Sequence, residues 1–295
     1  MSENGEHAGG LVGFLKSLGP ICDQFNPSQV IVVWESGGNQ KRSALSGGTH
    51  KDGRKPANFN RYYEDDIPNT VENHNNQISL LIEALKSLPV RQVYVKDTEA
   101  DDVIGYICNY KFKESKVVIV SSDKDLYQLI NDRVSQWSLN QKKLIDSKSV
   151  IEKFGISPQN FCVARCFIGD ASDSIDGVKG TGFRTLAKKF PELIKEDFFS
   201  VSDLVERSKE LAKTSGAKIY KSIIEGEEDA KKNWKLMYLD VSRLNGEQVK
   251  RIEYQLGTPV PSPNKISLLR LLVREGLKSV DINATFATLK RISHE

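Results

Sequence analysis

Short apolar runs alternate with longer amphipathic segments through the first half of the chain. The run Q-V-I-V-V-W at 29–34 predicts a buried strand, and shorter strands are expected at 92–95 and 116–120. Amphipathic spacing predicts helices at 11–25, 73–88, 99–111 and 124–130. Because strands alternate with helices, we expect a mainly parallel sheet covered on both faces, in a three-layer α/β domain.

The second half of the chain has helical spacing almost throughout. This change of pattern predicts an α/β domain over 1–155 and a helical domain over 156–295. The glycine-rich segment G-V-K-G-T-G at 177–182 predicts a tight hairpin between two of the helices. The helices are predicted at 157–168, 183–190, 201–213, 217–224, 228–236, 266–277 and 286–292.

One long segment, at 36–63, has neither helical nor strand periodicity. It is polar and rich in glycine, which predicts a long loop. Six Lys and Arg residues stand against one Asp in it, a net charge of +5, and Phe59, Tyr62 and Tyr63 follow the basic positions. A basic loop with aromatic faces suits the passage of a nucleic-acid strand. The alternative is an ordinary solvated basic loop.

The composition narrows the class of protein. With 39% hydrophobic and 27% charged residues among 295, the chain is expected to be globular and cytoplasmic. No apolar run approaches the roughly 20 residues of a membrane span, and the first residues show no signal-peptide pattern, so no membrane partner is expected. The four scattered cysteines predict reduced thiols, and the four histidines lack the spacing of zinc ligands.

Seven carboxylates in three short clusters are the strongest chemical signal in the sequence. Carboxylates gathered in one place repel one another and resist ionisation unless cations neutralise them. Oxygen ligands without a nearby His or Cys favour magnesium or manganese, and two such ions roughly 4 Å apart are used to hydrolyse phosphodiesters. The clusters are Glu99, Asp101 and Asp102 in E-A-D-D-V-I, Asp123 and Asp125 in S-D-K-D-L, and Asp170 and Asp173 in G-D-A-S-D.

The first two clusters also have a purely structural interpretation. Glu99 and Asp102 share a helix face, and acids at a helix start complement its positive end. Asp123 could cap the helix that follows it. Asp170 and Asp173 are expected at the C-terminal end of a helix, where anions are unfavourable unless a cation compensates them.

The motifs E-A-D-D-V-I, S-D-K-D-L and G-D-x-x-D, followed by G-V-K-G-T-G, resemble the flap endonuclease / 5′-to-3′ exonuclease family in order and spacing. The similarity runs from about residue 9 to about residue 193 and is greatest to stand-alone bacterial and bacteriophage enzymes, some of which are called RNase H. It implies a PIN-like or Rossmann-like nuclease domain followed by a helix-hairpin-helix domain. The implied activity is magnesium-dependent 5′ nuclease cleavage of DNA, and of RNA–DNA hybrids, in the removal of primers or flaps during replication.

The resemblance also implies the ligands and the setting. The expected substrates carry a 5′ flap, a nick or a single-strand/duplex junction. Manganese is expected to support the reaction in place of magnesium. The protein is expected to be a monomer in a bacterial or phage-infected cell, with no replication protein implied as its partner. The ligand role of Asp101 rests on the resemblance alone. Glu99, Asp101, Asp102 and Asp123 would serve one ion, and Asp125, Asp170 and Asp173 the other.

The basic residues receive roles in the same way. H-K-D-G-R at 50–54 resembles the family's Y-K-x-x-R, which implies that Lys51 and Arg54 contact the scissile phosphate, with His50 in place of the tyrosine. Lys41, Arg42 and Lys55 would bind the single strand in a flexible arch. A potassium ion at the hairpin is a further implication. The resemblance also implies that six residues in and after the hairpin contact duplex DNA: Gly177, Lys179, Gly180, Gly182, Arg184 and Lys188.

Two positions depart from the family pattern. Relatives begin with an apolar strand that ends in Asp-Gly, and this strand is missing before Met1, either because the start codon lies further upstream or because the chain is naturally shorter. Glu35 follows V-I-V-V-W where relatives carry Asp, and it is a further candidate metal ligand. Two other functions therefore stay open: a catalytically impaired DNA-binding protein of the same fold, and a PIN-type ribonuclease. The hairpin and the basic second domain argue against the ribonuclease.

Overall fold

The structure is a computed structural model that describes residues 2–37 and 71–292. These residues form two compact units. The first contains the described residues of Met1–Trp34, Pro56–Val95 and Glu247–Glu295, and the second those of Glu35–Lys55 and Lys96–Gly246. The predicted domain boundary at 155/156 stays a prediction, because the compact units divide the chain at other points.

Twelve α-helices and five strands are named here within the described residues. The strands are β1 Ile31–Trp34, β2 Arg91–Tyr94, β3 Val117–Val120, β4 Val134–Ser138 and β5 Lys143–Ile145. The helices are α1 Gly9–Phe25, α2 Val71–Leu85, α3 Ala100–Tyr106, α4 Ser147–Phe154, α5 Pro158–Ile168, α6 Phe183–Lys189, α7 Val201–Thr214, α8 Lys218–Glu225, α9 Glu227–Met237, α10 Gly246–Gly257, α11 Lys265–Arg274 and α12 Ile282–Leu289.

The first unit is built on a parallel strand pair. β1 and β2 pair from Ile31 opposite Arg91 to Trp34 opposite Tyr94. Helix α1 buries Leu11, Leu15 and Leu18, which lie on one face because they are spaced four and three residues apart. Together with apolar side chains of α2 and α11 they form one continuous core.

The second unit contains a three-stranded sheet in the order β3-β4-β5. β3 and β4 are parallel, and β5 is antiparallel to β4. The described strands therefore lie in two sheets, one in each unit. Helices α5 to α9 pack around a separate apolar core, in which Phe167, Leu186 and Phe190 are fully buried. This core carries one of the two segments that form the site described below, and the other segment follows β3 beside a second apolar cluster.

Four elements, β4, β5, α4 and α10, were not predicted from the sequence. In β4 the side chains of Val134, Gln136 and Ser138 are buried, whereas Trp137 on the opposite face is only partly buried. Two of the three inward positions are therefore polar, and the strand lacks the inward apolar alternation that marks a strand in a sequence. No described helix is both long and apolar enough to span a membrane.

Candidate metal centre

Three of the predicted metal ligands meet at one place in the second unit. Asp125, Asp170 and Asp173 each offer a carboxylate oxygen, and these oxygens all lie within 4.8 Å of one another. Within residues 2–37 and 71–292, no other three Asp, Glu, His or Cys side chains come this close with their ligating atoms. The trio, called the three-carboxylate site below, contains the three residues that the sequence assigned to one of two ions.

Asp125 reaches the site from the acidic turn, residues 121–125, which follows the end of β3. The Asp123 carboxylate accepts a hydrogen bond from the Asp125 backbone N–H at 2.9 Å. The Gln136 side-chain amide donates to the carbonyls of Ser121, at 2.9 Å, and Asp123, at 2.7 Å. Asp123 therefore shapes the turn but does not cap the helical turn that follows, whose N-cap is Lys124, and its side chain is exposed and outside the trio.

Asp170 and Asp173 lie on the acidic loop, residues 169–177, and not at the end of a helix as the sequence predicted. Helix α5 ends at Ile168, because Gly169 takes a left-handed conformation with φ of +80°. Asp170 then caps a short 3₁₀ turn, Ala171–Asp173. Its carboxylate accepts from the Ser172 backbone N–H at 2.9 Å and from the Ser172 hydroxyl at 2.6 Å.

The two ends of the acidic loop pack against each other through their backbones. A Cβ atom on Gly169 would lie 2.5 Å from the Gly177 nitrogen, and one on Gly177 would overlap the Ile168 carbonyl. Asn233 on α9 donates its side-chain amide to the carbonyls of Cys166 and Asp176, both at 2.8 Å. The sequence analysis assigned Gly177 to DNA binding. In the structure, the loop closes because Gly177 has no side chain.

Arg165, a residue that the sequence analysis did not select, lies between the two acidic segments. Its Nη2 atom donates to Asp125 at 2.9 Å and also pairs with Asp170. The Arg165 side chain is 13% exposed, in a helix whose neighbouring residues are buried and mostly apolar. An arginine is seldom buried without an acidic partner, so its place in the run F-C-V-A-R-C-F was a signal that sequence analysis could have used.

The site perturbs the protonation of its own carboxylates. Burial raises the pKa of Asp125 to about 6, with the Arg165 guanidinium opposing this shift and the negative charges of Asp123, Asp170 and Asp173 adding to it. Burial also acts to raise the pKa of Asp170, but hydrogen bonds from Ser172 and the charge of Arg165 outweigh burial and lower it. A cation bound beside Asp125 would favour its ionised form.

The other predicted acidic ligands lie around the start of α3. Glu99 and Asp102 are each 2% exposed, whereas Asp101 is only partly buried. Glu35 accepts backbone hydrogen bonds with both carboxylate oxygens, from Ala100 at 3.1 Å and from Ser36 and Gly37 at 3.1 and 3.2 Å. It thus ties the segment 35–37 to the first turn of α3.

The hairpin between α5 and α6 has the predicted form. Gly180 has φ of +86°, a conformation that favours glycine. The Thr181 hydroxyl donates to the carbonyl of Phe167 at 2.8 Å, which fastens the hairpin to the end of α5. A Cβ on Gly182 would meet no atom within 4 Å, so the start of α6 is open. Three basic side chains of the hairpin and of α6 are exposed: Lys179, Arg184 and Lys188.

The remaining predicted site residues belong to the segment 36–63, most of which lies outside the described residues. They are Lys41, Arg42, His50, Lys51, Arg54 and Lys55.

Comparison with known proteins places these motifs among nucleases. Residues 1–155 match the family profile described as 5′-3′ exonuclease, N-terminal resolvase-like domain. The 5′-3′ exonuclease of Buchnera aphidicola (subspecies Schizaphis graminum) is 29% identical over 194 residues, 63% of this chain and 62% of that protein. Flap endonuclease Xni of Shewanella sp. (strain MR-4) is 30% identical over 215 residues, 72% of this chain and 74% of that protein.

A solved structure has the same fold. The T5 D15 protein co-crystallised with metal ions matches with a TM-score of 0.67 and 19% identity, over 86% of this chain and 92% of that chain. The predicted α/β nuclease fold class is thereby confirmed. The chain spans less than two thirds of the Buchnera relative that it matches, 62%.

Proposed function

Because the chain belongs to the 5′-3′ exonuclease family, by its N-terminal resolvase-like domain, we propose that it is a divalent-metal-dependent 5′ nuclease. The proposed substrates are DNA with a 5′ flap, a nick or a single-strand/duplex junction, and RNA–DNA hybrids as in primer removal. The observation that carries the proposal is the convergence of Asp125, Asp170 and Asp173 from two separate segments. The relatives named above are exonucleases and flap endonucleases, which does not favour a ribonuclease or an impaired DNA-binding protein.

The donor set of the three-carboxylate site suits a hard divalent cation. Its ligands are carboxylate oxygens without His or Cys, a set that favours magnesium or manganese. When bound, such an ion supplies an activated water and neutralises charge on the phosphate. The buried pair Glu99 and Asp102, with Asp101 and Asp123, is proposed to serve the second ion. Glu35 remains a candidate, although its oxygens already accept backbone hydrogen bonds.

The basic residues are proposed to hold the DNA. The open start of α6 at Gly182 presents backbone N–H groups to a duplex phosphate, and Lys179, Arg184 and Lys188 surround it with positive charge. Such contacts bind duplex backbone without reading its sequence. A potassium ion at this hairpin belongs to the same proposal. Lys51 and Arg54 are proposed to contact the scissile phosphate, where positive charge stabilises the transition state.

The proposal extends to the state of the protein in the cell. We place it as a monomer in the cytoplasm of a bacterial or phage-infected cell. Its four cysteines, Cys22, Cys108, Cys162 and Cys166, are unpaired and buried, which supports a reducing compartment.

Cleavage of a 5′-flap substrate tests the proposed function. We expect cutting in magnesium or manganese, and none in calcium or with a chelator. Asp170→Asn with Asp173→Asn should abolish cutting while DNA binding in calcium persists, because removing negative charge does not weaken attraction to phosphates. If the chelated protein or the double variant cuts at the wild-type rate, the three-carboxylate site is not the catalytic centre.

A further inference from the structure

Arg165 places a fixed positive charge inside the three-carboxylate site. A single nitrogen of its guanidinium, Nη2, donates hydrogen bonds to the carboxylates of both Asp125 and Asp170. The three side chains are 13%, 23% and 14% exposed, so water screens them only weakly. The Nε atom of Arg165 is buried and has no hydrogen-bond partner among the described residues. Among the described residues, the guanidinium is therefore held by its two acidic partners.

The charges of the site give Arg165 a definite role. The ionised trio carries a charge of −3, and Arg165 reduces this to −2, which one divalent ion balances. Without a metal, Arg165 is the cation that holds Asp125 and Asp170 together against their mutual repulsion. Arg165 pairs with two of the three carboxylates that the proposed function gives to the ion, so the two cations lie at the same carboxylate groups.

Resting on the proposed function, we propose that Arg165 is a built-in counter-ion, which pairs with Asp125 and Asp170 in the metal-free protein and weakens the binding of the divalent ion there. It acts through the carboxylates and is a positioning residue. Two effects follow with opposite signs. Loss of its charge destabilises the metal-free protein, because Asp125 and Asp170 then lose the cation that pairs with them. The same loss tightens metal binding, because the ion no longer competes with a fixed positive charge.

A merely structural arginine predicts a different sign. If Arg165 only kept the acidic turn and the acidic loop in register, its removal would loosen the ligands and weaken metal binding. The direction of the change in metal affinity therefore separates the two roles. Stability alone does not separate them, because both roles predict a less stable metal-free protein.

The experiment titrates the full-length protein with Mn²⁺ and counts free Mn²⁺ by electron paramagnetic resonance. Arg165→Met and Arg165→Gln remove the charge, with the glutamine variant retaining a hydrogen-bond donor if the methionine variant does not fold. Arg165→Lys keeps the charge. Arg207→Met is the matched control, because Arg207 pairs with Glu192 and Glu210 on the surface of the helical region.

We expect the uncharged variants to bind Mn²⁺ about tenfold more tightly than the wild type, as removal of a unit charge near a divalent ion implies. Their melting temperature should be lower than wild type in chelator and should rise more on addition of Mn²⁺. Arg165→Lys and Arg207→Met should keep wild-type affinity. If the wild type cuts DNA but the uncharged variants bind Mn²⁺ no more tightly than the wild type does, the counter-ion role is wrong and the proposed function still stands. If the wild type itself neither binds Mn²⁺ nor cuts DNA, the proposed function fails, and this inference fails with it.

Discussion

Gly169 and Gly177 approach so closely that the Gly177 nitrogen lies 2.5 Å from the place of a Cβ atom on Gly169. The acidic loop that carries Asp170 and Asp173 is closed at this contact. No larger residue fits at either position unless the backbone moves, because the atoms in the way are backbone atoms. The geometry of the site therefore depends on two residues without side chains.

Gly177→Ala should lower the free energy of unfolding by about 3 kcal/mol, the upper end of the typical cost of overpacking, because the added atom meets backbone. The matched control is Gly182→Ala, where a Cβ meets no atom within 4 Å and φ is −170°, so we expect a loss below about 1 kcal/mol. Urea unfolding of both variants measures the difference. Equal stability of the two variants would show that the loop opens without cost.

Asn233→Leu should weaken Mn²⁺ binding roughly tenfold, as loss of a residue that orients metal ligands does elsewhere. The change leaves the carbonyls of Cys166 and Asp176 without their donor and lowers stability by about 2 kcal/mol. Asn160→Leu is the control, because Asn160 is also buried and donates to the carbonyls of Lys195 and Asp197, away from the acidic loop. It should lose stability but keep its Mn²⁺ affinity. A fall in affinity for both variants would point to general unfolding.

The raised pKa of Asp125 predicts a pH dependence of stability in the metal-free protein. Its pKa is about 6 in the folded chain against an ordinary value of 3.8, so the native state favours the protonated form. The resulting stabilisation is fully present below about pH 4 and is lost as the pH rises through 6. By the usual conversion this amounts to about 3 kcal/mol.

Urea unfolding in chelator from pH 4 to pH 7 measures this effect. The difference between wild type and Asp125→Asn isolates it from other titrating groups, because asparagine does not ionise. We expect the wild type to lose stability relative to the variant across this range. A constant difference would mean that Asp125 has the same pKa in the folded and unfolded chains.

Lys179→Ala with Arg184→Ala should weaken binding to every duplex sequence alike. The salt dependence of binding should become shallower by about one unit for each lost phosphate contact. Lys113→Ala with Lys116→Ala removes the same charge from exposed positions at the opposite end of β3 from the acidic turn, and should leave the slope unchanged. Affinity in calcium at several salt concentrations measures both. If the control variant loses as much, binding depends on total charge and not on the hairpin.

Lys51→Ala should slow single-turnover cleavage in magnesium by roughly 100-fold, as loss of a transition-state donor does, with little change in affinity. Lys55→Ala should do the reverse, because Lys55 is assigned to holding the single strand. Affinity in calcium and rate in magnesium separate the two. A Lys51 variant that changes affinity alone would make the basic segment only an electrostatic guide.

The sequence predicted the convergence of ligands better than their local geometry. The resemblance to the nuclease family implied that Asp125, Asp170 and Asp173 serve one ion, and the structure brings these three together. It predicted the end of the helix at residue 168 but placed Asp170 and Asp173 against that helix end, because nothing in F-I-G-D shows that Gly169 takes a positive φ and starts a separate loop. Arg165 was missed because its partners are set by tertiary packing, although its place among buried apolar residues was a signal that it has acidic partners.

Strand β4, which the sequence did not predict, determines whether the acidic turn could be transferred to another protein. Its buried Gln136 donates to two carbonyls of that turn, so the shape of S-S-D-K-D is templated by a neighbouring strand as well as by its own residues. Grafting these five residues onto another α/β protein would transfer the carboxylates but not their arrangement. A graft would also need a donor at the facing position of the adjacent parallel strand. The smallest transferable unit of this half of the site is therefore a strand pair.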